Sequence, residues 1–278
     1  MTDLTSADAL AGSTTGPASA ARPKPPGGPR RVWAIVGGAV IPLVILGVWS
    51  ALSFSGAVPS YKLPSPIDVI NAGIELAQNG KYQANIAISV QRVFLGFAIG
   101  SVVGLVLGSV VGLSKLGSIL LSPTIGGIRA VPSLAWVPLL ILYLGINEDS
   151  KVTLIAIGAL FPVYTTVATA LRHVDPQLVE LGRAFGRNGV SLLTTVQLPA
   201  VVPSIVAGLR LALAQSWLFL VAAELIASSV GLGNLLVESQ NNGRLDRIFL
   251  AIVTLAVLGK ATDGLVGLLE RFLLKRWG

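Results

Sequence analysis

The chain has 278 residues, of which 53% are apolar and only 12% charged, and its mean hydropathy is +0.78. Average soluble chains carry about 25% charged residues, so this composition excludes a soluble globule, a disordered chain and a coiled coil, and predicts a membrane protein. Cysteine is absent and His173 is the single histidine, which excludes disulfides, thiolate metal sites and a histidine-rich metal centre. We attribute the net charge of +7 to Lys and Arg retained on the cytoplasmic side rather than to nucleic-acid binding.

The N-terminal segment, residues 1–31, is polar and rich in alanine, serine, proline and glycine. Its low hydrophobicity predicts a disordered tail, and it lacks the early apolar stretch of a signal peptide. The remainder, residues 32–278, is predicted to form one transmembrane domain.

Six apolar segments are candidates to cross a membrane, because a helix needs about 20 residues to span about 30 Å of hydrocarbon. They are residues 32–54, 93–113, 130–146, 152–171, 203–226 and 247–270. With the N-terminus inside, the inner segments hold eleven Lys and Arg residues and the outer segments five, which favours cytoplasmic termini. The predicted fold class is an all-α membrane protein with about six transmembrane helices.

The first predicted outer segment contains a short helix over residues 67–78, started by Pro66. Its apolar residues Ile67, Ile70 and Ile74 recur at helical spacing, which suits a helix lying on the membrane surface. An ordinary capped connector explains the segment equally well.

The second span carries a glycine at every fourth position, which places the glycines on one helix face and lets another backbone approach closely. The run comprises Gly96, Gly100, Gly104, Gly108 and Gly112. The pattern predicts that the second span packs tightly against another helix. We favour a partner helix in the same chain over one in a second chain.

The predicted inner segment over residues 175–199, called the 175–199 loop below, reads as helix–turn–helix. Asp175 suits an N-cap and Pro176 the first helical position. An apolar stripe follows on that helix, and a glycine at 186 or 189 can end it in the left-handed conformation. The stripe is formed by Leu178, Leu181 and Phe185.

This loop resembles the EAA signature of ABC importer permeases of the binding-protein-dependent class. The fixed positions of that signature are occupied by Glu180, Gly186, Val196, Leu198 and Pro199. The sequence departs from it at the two consensus alanines, which are Leu181 and Gly182 here, and at the consensus isoleucine, which is Val196. The segments 63–66, 89–97 and 129–138 resemble the aliphatic sulfonate, taurine and nitrate branch, and the likeness extends over roughly residues 40–276.

The resemblance implies a type I ABC importer permease in a bacterial plasma membrane. In that family the 175–199 loop docks on a cytosolic ATPase present in two copies, two permeases enclose one pathway, and an extracytoplasmic protein delivers the substrate. A homodimer is expected, and the ATP and magnesium belong to the ATPase. The sequence agrees, because neither Gly-Lys pair, at 80–81 and 259–260, is followed by the Ser or Thr of a P-loop. The resemblance favours aliphatic sulfonates, with taurine, nitrate, bicarbonate and pyrimidine vitamin precursors as rival cargoes.

Charged residues inside spans are costly and invite explanation. We expect Lys260 and Asp263, three residues apart on one helix, to neutralise each other, and Glu224 to lie at the outer end of its span in water. Arg210 could pair with an acid, snorkel or contact an anionic substrate. A substrate pathway could include Arg210, Trp136 and Trp217, although packing is the commoner role for such aromatics.

Two other classes of function remain open at this point. An ion-coupled secondary transporter could use Lys260, Asp263 and Glu224 as coupling charges. An intramembrane enzyme ranks lowest, because the sequence offers no cluster of nucleophile and base. On these grounds the chain is expected to be a transport subunit and not an enzyme.

Overall fold

The computed structural model describes residues 29–277, and every regular element in this range is helical. The predicted tail, residues 1–31, lies outside the described residues as far as residue 28. The helices are α1 (Pro29–Phe54), α2 (Pro66–Gln78), α3 (Lys81–Leu113), α4 (Lys115–Ala130), α5 (Val137–Leu144), α6 (Glu148–Arg172), α7 (Pro176–Ala184), α8 (Gly189–Leu192), α9 (Leu198–Ala227), α10 (Leu232–Asn241) and α11 (Leu245–Trp277). A 3₁₀ turn over Ser133–Trp136 precedes α5, and a π-helical turn over Leu193–Gln197 leads into α9.

The chain divides into two units, Met1–Trp49 and Ser50–Gly278. The described part of the first unit is the N-terminal part of α1, which contains Pro42. The second unit contains α2 to α11 and all the sites described below.

Four helical stretches are long and apolar enough to cross a bilayer: Lys81–Leu113, Glu148–Arg172, Gly189–Ile226 and Leu245–Phe272. The segment Val40–Phe54 of α1 is also apolar but shorter. The prediction of an all-α, multi-pass membrane protein is confirmed. The total of six spans and the cytoplasmic position of both termini stay predictions.

Residues 130–146, a candidate span by composition, do not form one membrane-crossing helix. Helix α4 ends at Ala130 because Val131 precedes Pro132 and takes the extended conformation (φ −71°, ψ 125°) that this position favours. Helix α5 has only eight residues and stops at Gly145, whose φ is +72°. Helix α4 and Ser133–Leu144 meet at 86°, so the two form a broken span or a re-entrant loop.

The glycine face of α3 lies directly against α6 within the same chain. A Cβ atom on Gly96 would come 2.6 Å from Cβ of Ile155, and one on Gly104 would come 2.8 Å from the carbonyl oxygen of Leu160. Gly108 and Gly112 meet α6 in the same way. The absent side chains therefore set the distance between the two helices.

Helix α6 packs on α9 as well, so it occupies the centre of the second unit. Gly158 of α6 faces the ring of Phe219, and Gly208 of α9 faces Thr166. The buried side chains between these helices include Leu154, Ile155, Leu213 and Leu220.

Helix α2 confirms the predicted short helix after Pro66. Ser65 caps it through a capping box with Asp68, in which each side chain accepts a hydrogen bond from the other residue's backbone N–H. Val69, Ala72 and Leu76 are buried on one face, and α2 packs on α3 and α11. The opposite, exposed face presents Ile67, Ile70 and Ile74. This distribution is the one expected of a helix that lies in the membrane interface.

Candidate functional site

The 175–199 loop begins with the predicted helix. Asp175 Oδ1 accepts a hydrogen bond of 2.9 Å from the backbone N–H of Gln177, and Pro176 occupies the first position of α7. Proline fits there because the first helical N–H has no partner within the helix in any case. The Asp-Pro pair therefore fixes where α7 starts.

Gly186 ends this helix. Its φ is +76°, and two backbone bonds close the turn: Arg187 N–H to the Gly182 carbonyl at 3.0 Å and Gly186 N–H to the Arg183 carbonyl at 2.9 Å. This pair of bonds is a Schellman motif, which needs a left-handed residue at the position of Gly186. Gly189, with φ +55°, then opens α8. The predicted helix–turn–helix is confirmed.

Gly182 explains the departure from alanine in the signature. A Cβ on Gly182 would lie 2.6 Å from Cδ1 of Leu192 and 3.0 Å from Cγ2 of Val196. Gly182 is buried while its neighbours on α7 are exposed. The missing methyl group thus lets α7 lie close to the segment that leads into α9.

The outer side of the same loop is an exposed apolar stripe. Phe185 is 77% exposed and Leu181 is 55% exposed, and Leu178 and Val190 are exposed as well. The side chain of Glu180 is exposed beside the stripe, with no ion-pair partner among the described residues. Contiguous exposed apolar side chains with charges around them are typical of a docking surface.

A second candidate site is a buried group of charges centred on Arg92, called the Arg92 cluster below. Arg92 is 3% exposed and lies 2.7 Å from Glu224 and 2.6 Å from Glu148, while Lys151 reaches Glu148 at 3.0 Å. The hydroxyl of Ser89 donates to Glu224. Three helices that are far apart in sequence, α3, α6 and α9, are joined at this point.

Glu224 lies near the end of its helix, which stops at Ala227, but the expectation that water surrounds it is wrong. The residue is 1% exposed, so water does not stabilise its charge. Instead the carboxylate accepts hydrogen bonds from Arg92, Ser89 and the backbone N–H of Gly233. A buried carboxylate that is paired and fully hydrogen-bonded avoids the desolvation penalty of an isolated one.

The Arg92 cluster also holds the turn between α9 and α10. The backbone N–H groups of Gly231 and Leu232 donate to Asn85 Oδ1 at 2.8 Å and to Ser89 Oγ at 2.9 Å. Gly231 has φ +136°, and a Cβ there would clash with the carboxylate of Glu224. The Glu224 carboxylate therefore fits only because residue 231 is a glycine, and side chains of the Arg92 cluster in return hold the turn through its backbone N–H groups.

Comparison with known proteins identifies the family. Residues 96–275 match the model of the family described as "Binding-protein-dependent transport system inner membrane component". The chain belongs to this family. It is therefore the membrane-spanning permease subunit of an ATP-driven ABC importer.

Similar proteins cover nearly the whole permease. It is 38% identical over 252 residues to SsuC of Bacillus subtilis (strain 168), a permease assigned to aliphatic sulfonate transport, with 91% of each chain covered. It is 40% identical over 237 residues to the SsuC protein of Escherichia coli (strain K12), covering 85% of this chain and 90% of that one. The nitrate import permease NrtB of Leptolyngbya laminosa is 29% identical, with 81% and 82% covered.

A solved structure shares the fold. An inward-facing structure of the MetNI methionine ABC transporter matches with a TM-score of 0.57 and 20% identity, covering 73% of this chain and 98% of that one. This likeness agrees with the type I importer fold that the EAA signature implies.

The permease pairs Arg210 with two acids. Its guanidinium lies 2.9 Å from Asp263 and 3.1 Å from Glu270 on α11. Lys260 also reaches Asp263, at 3.4 Å, so the predicted Lys260–Asp263 pair forms as the longer contact of a network. Of the three alternatives for Arg210, pairing with an acid is the one that the structure contains.

The two candidate tryptophans occupy different surroundings. Trp217 is buried in the core and donates from Nε1 to the hydroxyl of Thr262 at 3.0 Å. Trp136, at the end of the 3₁₀ turn, lines an apolar cavity, and its buried Nε1 has no hydrogen-bond partner among residues 29–277. A role in a substrate pathway stays a prediction for both.

Sequence reasoning missed Arg92, Glu148 and Lys151 as a site. Ser89 and Arg92 entered only as part of the family resemblance, and Glu148 and Lys151 lie between the candidate spans 130–146 and 152–171. In the described part of the permease no group of three or more potential metal ligands comes together.

Proposed function

We propose that this permease imports aliphatic sulfonates. Identities of 38% and 40% over most of the chain, to two proteins assigned to that cargo, support the proposal. The 29% identity to a nitrate permease makes nitrate the first alternative, and taurine, bicarbonate and pyrimidine vitamin precursors follow.

The proposed arrangement places residues 32–278 in a bacterial plasma membrane as one domain with both termini in the cytoplasm, and residues 1–31 as a cytoplasmic tail. This orientation puts the 175–199 loop on the cytoplasmic side. The excess of Lys and Arg in the inner segments supports it.

The 175–199 loop is the proposed contact with the ATPase. The observation that carries this assignment is the exposed stripe of Leu178, Leu181 and Phe185 beside a rigid Schellman turn. A rigid helix that presents apolar anchors within a charged rim suits a docked, force-transmitting contact. The remaining signature residues, Val196, Leu198 and Pro199, connect this helix to α9, so movement of α7 is transmitted to a membrane span.

The working unit is proposed to be a permease homodimer with two ATPase copies and an extracytoplasmic binding protein. ATP and magnesium are bound by the ATPase, because this chain has no P-loop sequence. Closure of the ATPases moves the two 175–199 loops together and opens the permeases outward, and hydrolysis restores the inward-facing state.

The decisive experiment measures uptake of a radiolabelled alkanesulfonate by proteoliposomes that contain the permease, its ATPase and its binding protein. Uptake that requires ATP and all three proteins is expected, with nitrate and taurine as parallel substrates. ATP-independent uptake that collapses with a proton ionophore would instead establish a secondary transporter.

A matched pair of variants tests the docking surface. Phe185→Ser should weaken copurification of the ATPase, whereas Tyr61→Ser should leave it unchanged, because Tyr61 is a similarly exposed aromatic on the proposed outer side. Equal copurification in both variants contradicts the assignment of the 175–199 loop.

A further inference from the structure

Helix α11 carries an exposed charge in the middle of a membrane span. Lys260 lies in the stretch Leu245–Phe272, which is long and apolar enough to cross a bilayer, and its side chain is 84% exposed. It is 15 residues from the start of that stretch and 12 from its end, which corresponds to about 22 Å and about 18 Å along the helix axis. Snorkelling brings a charge to water only near helix ends, and the four-carbon stem of a lysine is too short for it here.

The charge of Lys260 is poorly compensated within the chain. Among the described residues, the carboxylate within 4.0 Å of its ammonium group is that of Asp263, at 3.4 Å. The Asp263 oxygens already accept hydrogen bonds of 2.9 and 3.0 Å from the guanidinium of Arg210. Because an ammonium group has three donors, most of the hydrogen-bonding capacity of Lys260 is unused.

Lys260 also borders a polar recess of about 380 Å³ on the surface of α9 and α11. The charged residues that line it are Arg210, Lys260, Asp263, Glu270 and Arg271. Lipid tails are unsuited to fill this recess, since a charge that faces hydrocarbon is costly. The recess therefore needs water or protein on its open side.

The helix face around Lys260 suits another protein better than lipid. Val257, Gly264 and Leu268 share this face with it, because they follow one another at helical spacing. Val257 and Leu268 are each 61% exposed, and a Cβ atom on Gly264 would meet nothing within 4 Å. Helices in membranes pack on one another through small residues and polar side chains, since backbones then come close and polar groups bond across the contact.

A second copy of the chain offers the missing counter-charge at the right depth. Two copies insert in the same orientation, so a two-fold axis that relates them runs along the membrane normal and each residue lies at one depth in both copies. Asp263 is one helical turn from Lys260 and is 34% exposed. When two α11 faces meet, Lys260 of one copy comes nearly level with Asp263 of the other, and two-fold symmetry forms this contact twice.

We propose that the Lys260 face, formed by Val257, Lys260, Gly264, Leu268 and the recess, is the surface on which a second copy of the permease packs. Lys260 of each copy pairs with Asp263 of the partner subunit, which neutralises the exposed charge and closes the recess. The proposal rests on the homodimer of the proposed function and deepens it, because it assigns the surface through which the two copies meet.

Cysteine crosslinking tests which surface is in contact. The chain has no cysteine, so single cysteines report proximity without background. Val257→Cys, Gly264→Cys and Leu268→Cys are treated with a bifunctional maleimide in native membranes, and a dimer-sized product is expected on denaturing gels. Val102→Cys and Val106→Cys are the controls, because these residues are similarly exposed, 59% and 57%, but lie on α3. They should stay monomeric.

Lys260→Glu tests the ion pairs, because it places like charges opposite each other while changing a side chain that is exposed on the single chain. Förster transfer between permeases fused to fluorescent proteins, at falling protein-to-lipid ratio, gives the dimer dissociation constant. This constant should rise at least about tenfold, since close charge pairs across interfaces are coupled at least that strongly. Lys81→Glu, the same reversal at the exposed first residue of α3, should leave it unchanged.

Two results would overturn the interface: crosslinking that is absent from all three positions of the Lys260 face, or a dissociation constant that Lys260→Glu leaves unchanged. Should Lys260→Glu fail to accumulate, the crosslinks decide. Förster transfer in the unmodified permease separates this failure from failure of the proposed function. If the unmodified permease dimerises while the Lys260 face does not crosslink, only the interface is refuted. If it stays monomeric at every ratio, the homodimer is refuted as well.

Discussion

Replacing Glu224 by glutamine tests whether the Arg92 cluster holds the permease together. The two side chains have the same shape, so packing is retained. The two carboxylate oxygens accept from Ser89 at 2.8 and 3.0 Å, from Arg92 at 2.7 Å and from the Gly233 N–H at 2.8 Å. A glutamine has only one acceptor oxygen, and its NH₂ group must face either Arg92 or Gly233, both of which are donors.

The expected loss in free energy of unfolding follows from the groups that Glu224→Gln leaves unpaired. Removing one member of a buried ion pair costs about 3–5 kcal/mol, because the remaining charge is uncompensated. Arg92 keeps Glu148, which is half-exposed and also paired with Lys151, so the lower end of that range applies. We expect Glu224→Gln to lower the free energy of unfolding by about 3 kcal/mol.

The assay is an SDS titration of the purified permease in mixed micelles, followed by tryptophan fluorescence. Glu238→Gln is the control, because the Glu238 carboxylate has no hydrogen bond among the described residues, and it should change the free energy by less than about 0.5 kcal/mol. A double variant, Glu224→Gln with Arg92→Met, should cost less than the sum of the single variants, since the two residues are coupled.

A loss below about 1 kcal/mol for Glu224→Gln, or additive single variants, would refute this account. Either outcome would mean that the buried charges contribute little beyond the packing of the helices around them.

Three further predictions concern packing, coupling and pH. Gly104→Ala should lower the unfolding free energy by about 1–3 kcal/mol, because its Cβ would lie 2.8 Å from a backbone carbonyl oxygen of α6. The control is Gly126→Ala, which adds a Cβ in open space on α4 and should be neutral or stabilising in the same titration. Gly186→Val puts a β-branched residue at φ +76° and should strain α7 by about 1–3 kcal/mol, so that less ATPase copurifies although the permease is normally abundant. Glu180→Ala should reduce ATPase copurification by a smaller amount. Unchanged copurification in Gly186→Val would contradict the turn argument. The hydrogen bond from Arg244 holds the pKa of Glu75 below its ordinary 4.5, so the attachment of α2 to Arg244 should be intact above that value and lost as the pH falls through the lowered pKa. Hydrogen-exchange protection factors of α2, in which the intrinsic pH dependence of amide exchange is divided out, measure this loss between pH 7 and 3, and Glu75→Gln should remove the part of the change that comes from Glu75.

Several elements could be predicted from the sequence because their causes are local. Asp175-Pro176 and Gly186 define both ends of α7 through capping and a left-handed turn, which depend on residues within one or two helical turns. The same holds for α2 after Ser65-Pro66. The EAA signature lies within one 25-residue segment, so the family was recognisable before any tertiary contact was known.

Apolar composition made residues 130–146 a candidate span, while Pro132 within that segment favours a break. Composition reports whether a segment is stable in lipid, and it does not report whether its backbone stays helical. Helix α4 ends at Ala130 because Pro132 restricts the backbone of Val131 to the extended region.

The sequence by itself determined that this protein is a helical membrane permease with a short capped helix at residues 176–184, because hydropathy, caps and turn residues act over short distances. Only the tertiary structure decided which charges neutralise one another. Glu224 is 132 residues from Arg92, and Arg210 is 53 residues from Asp263, so no spacing rule connects them. Coulomb attraction and desolvation depend on distance and burial in space, and these are set by how α3, α6, α9 and α11 pack.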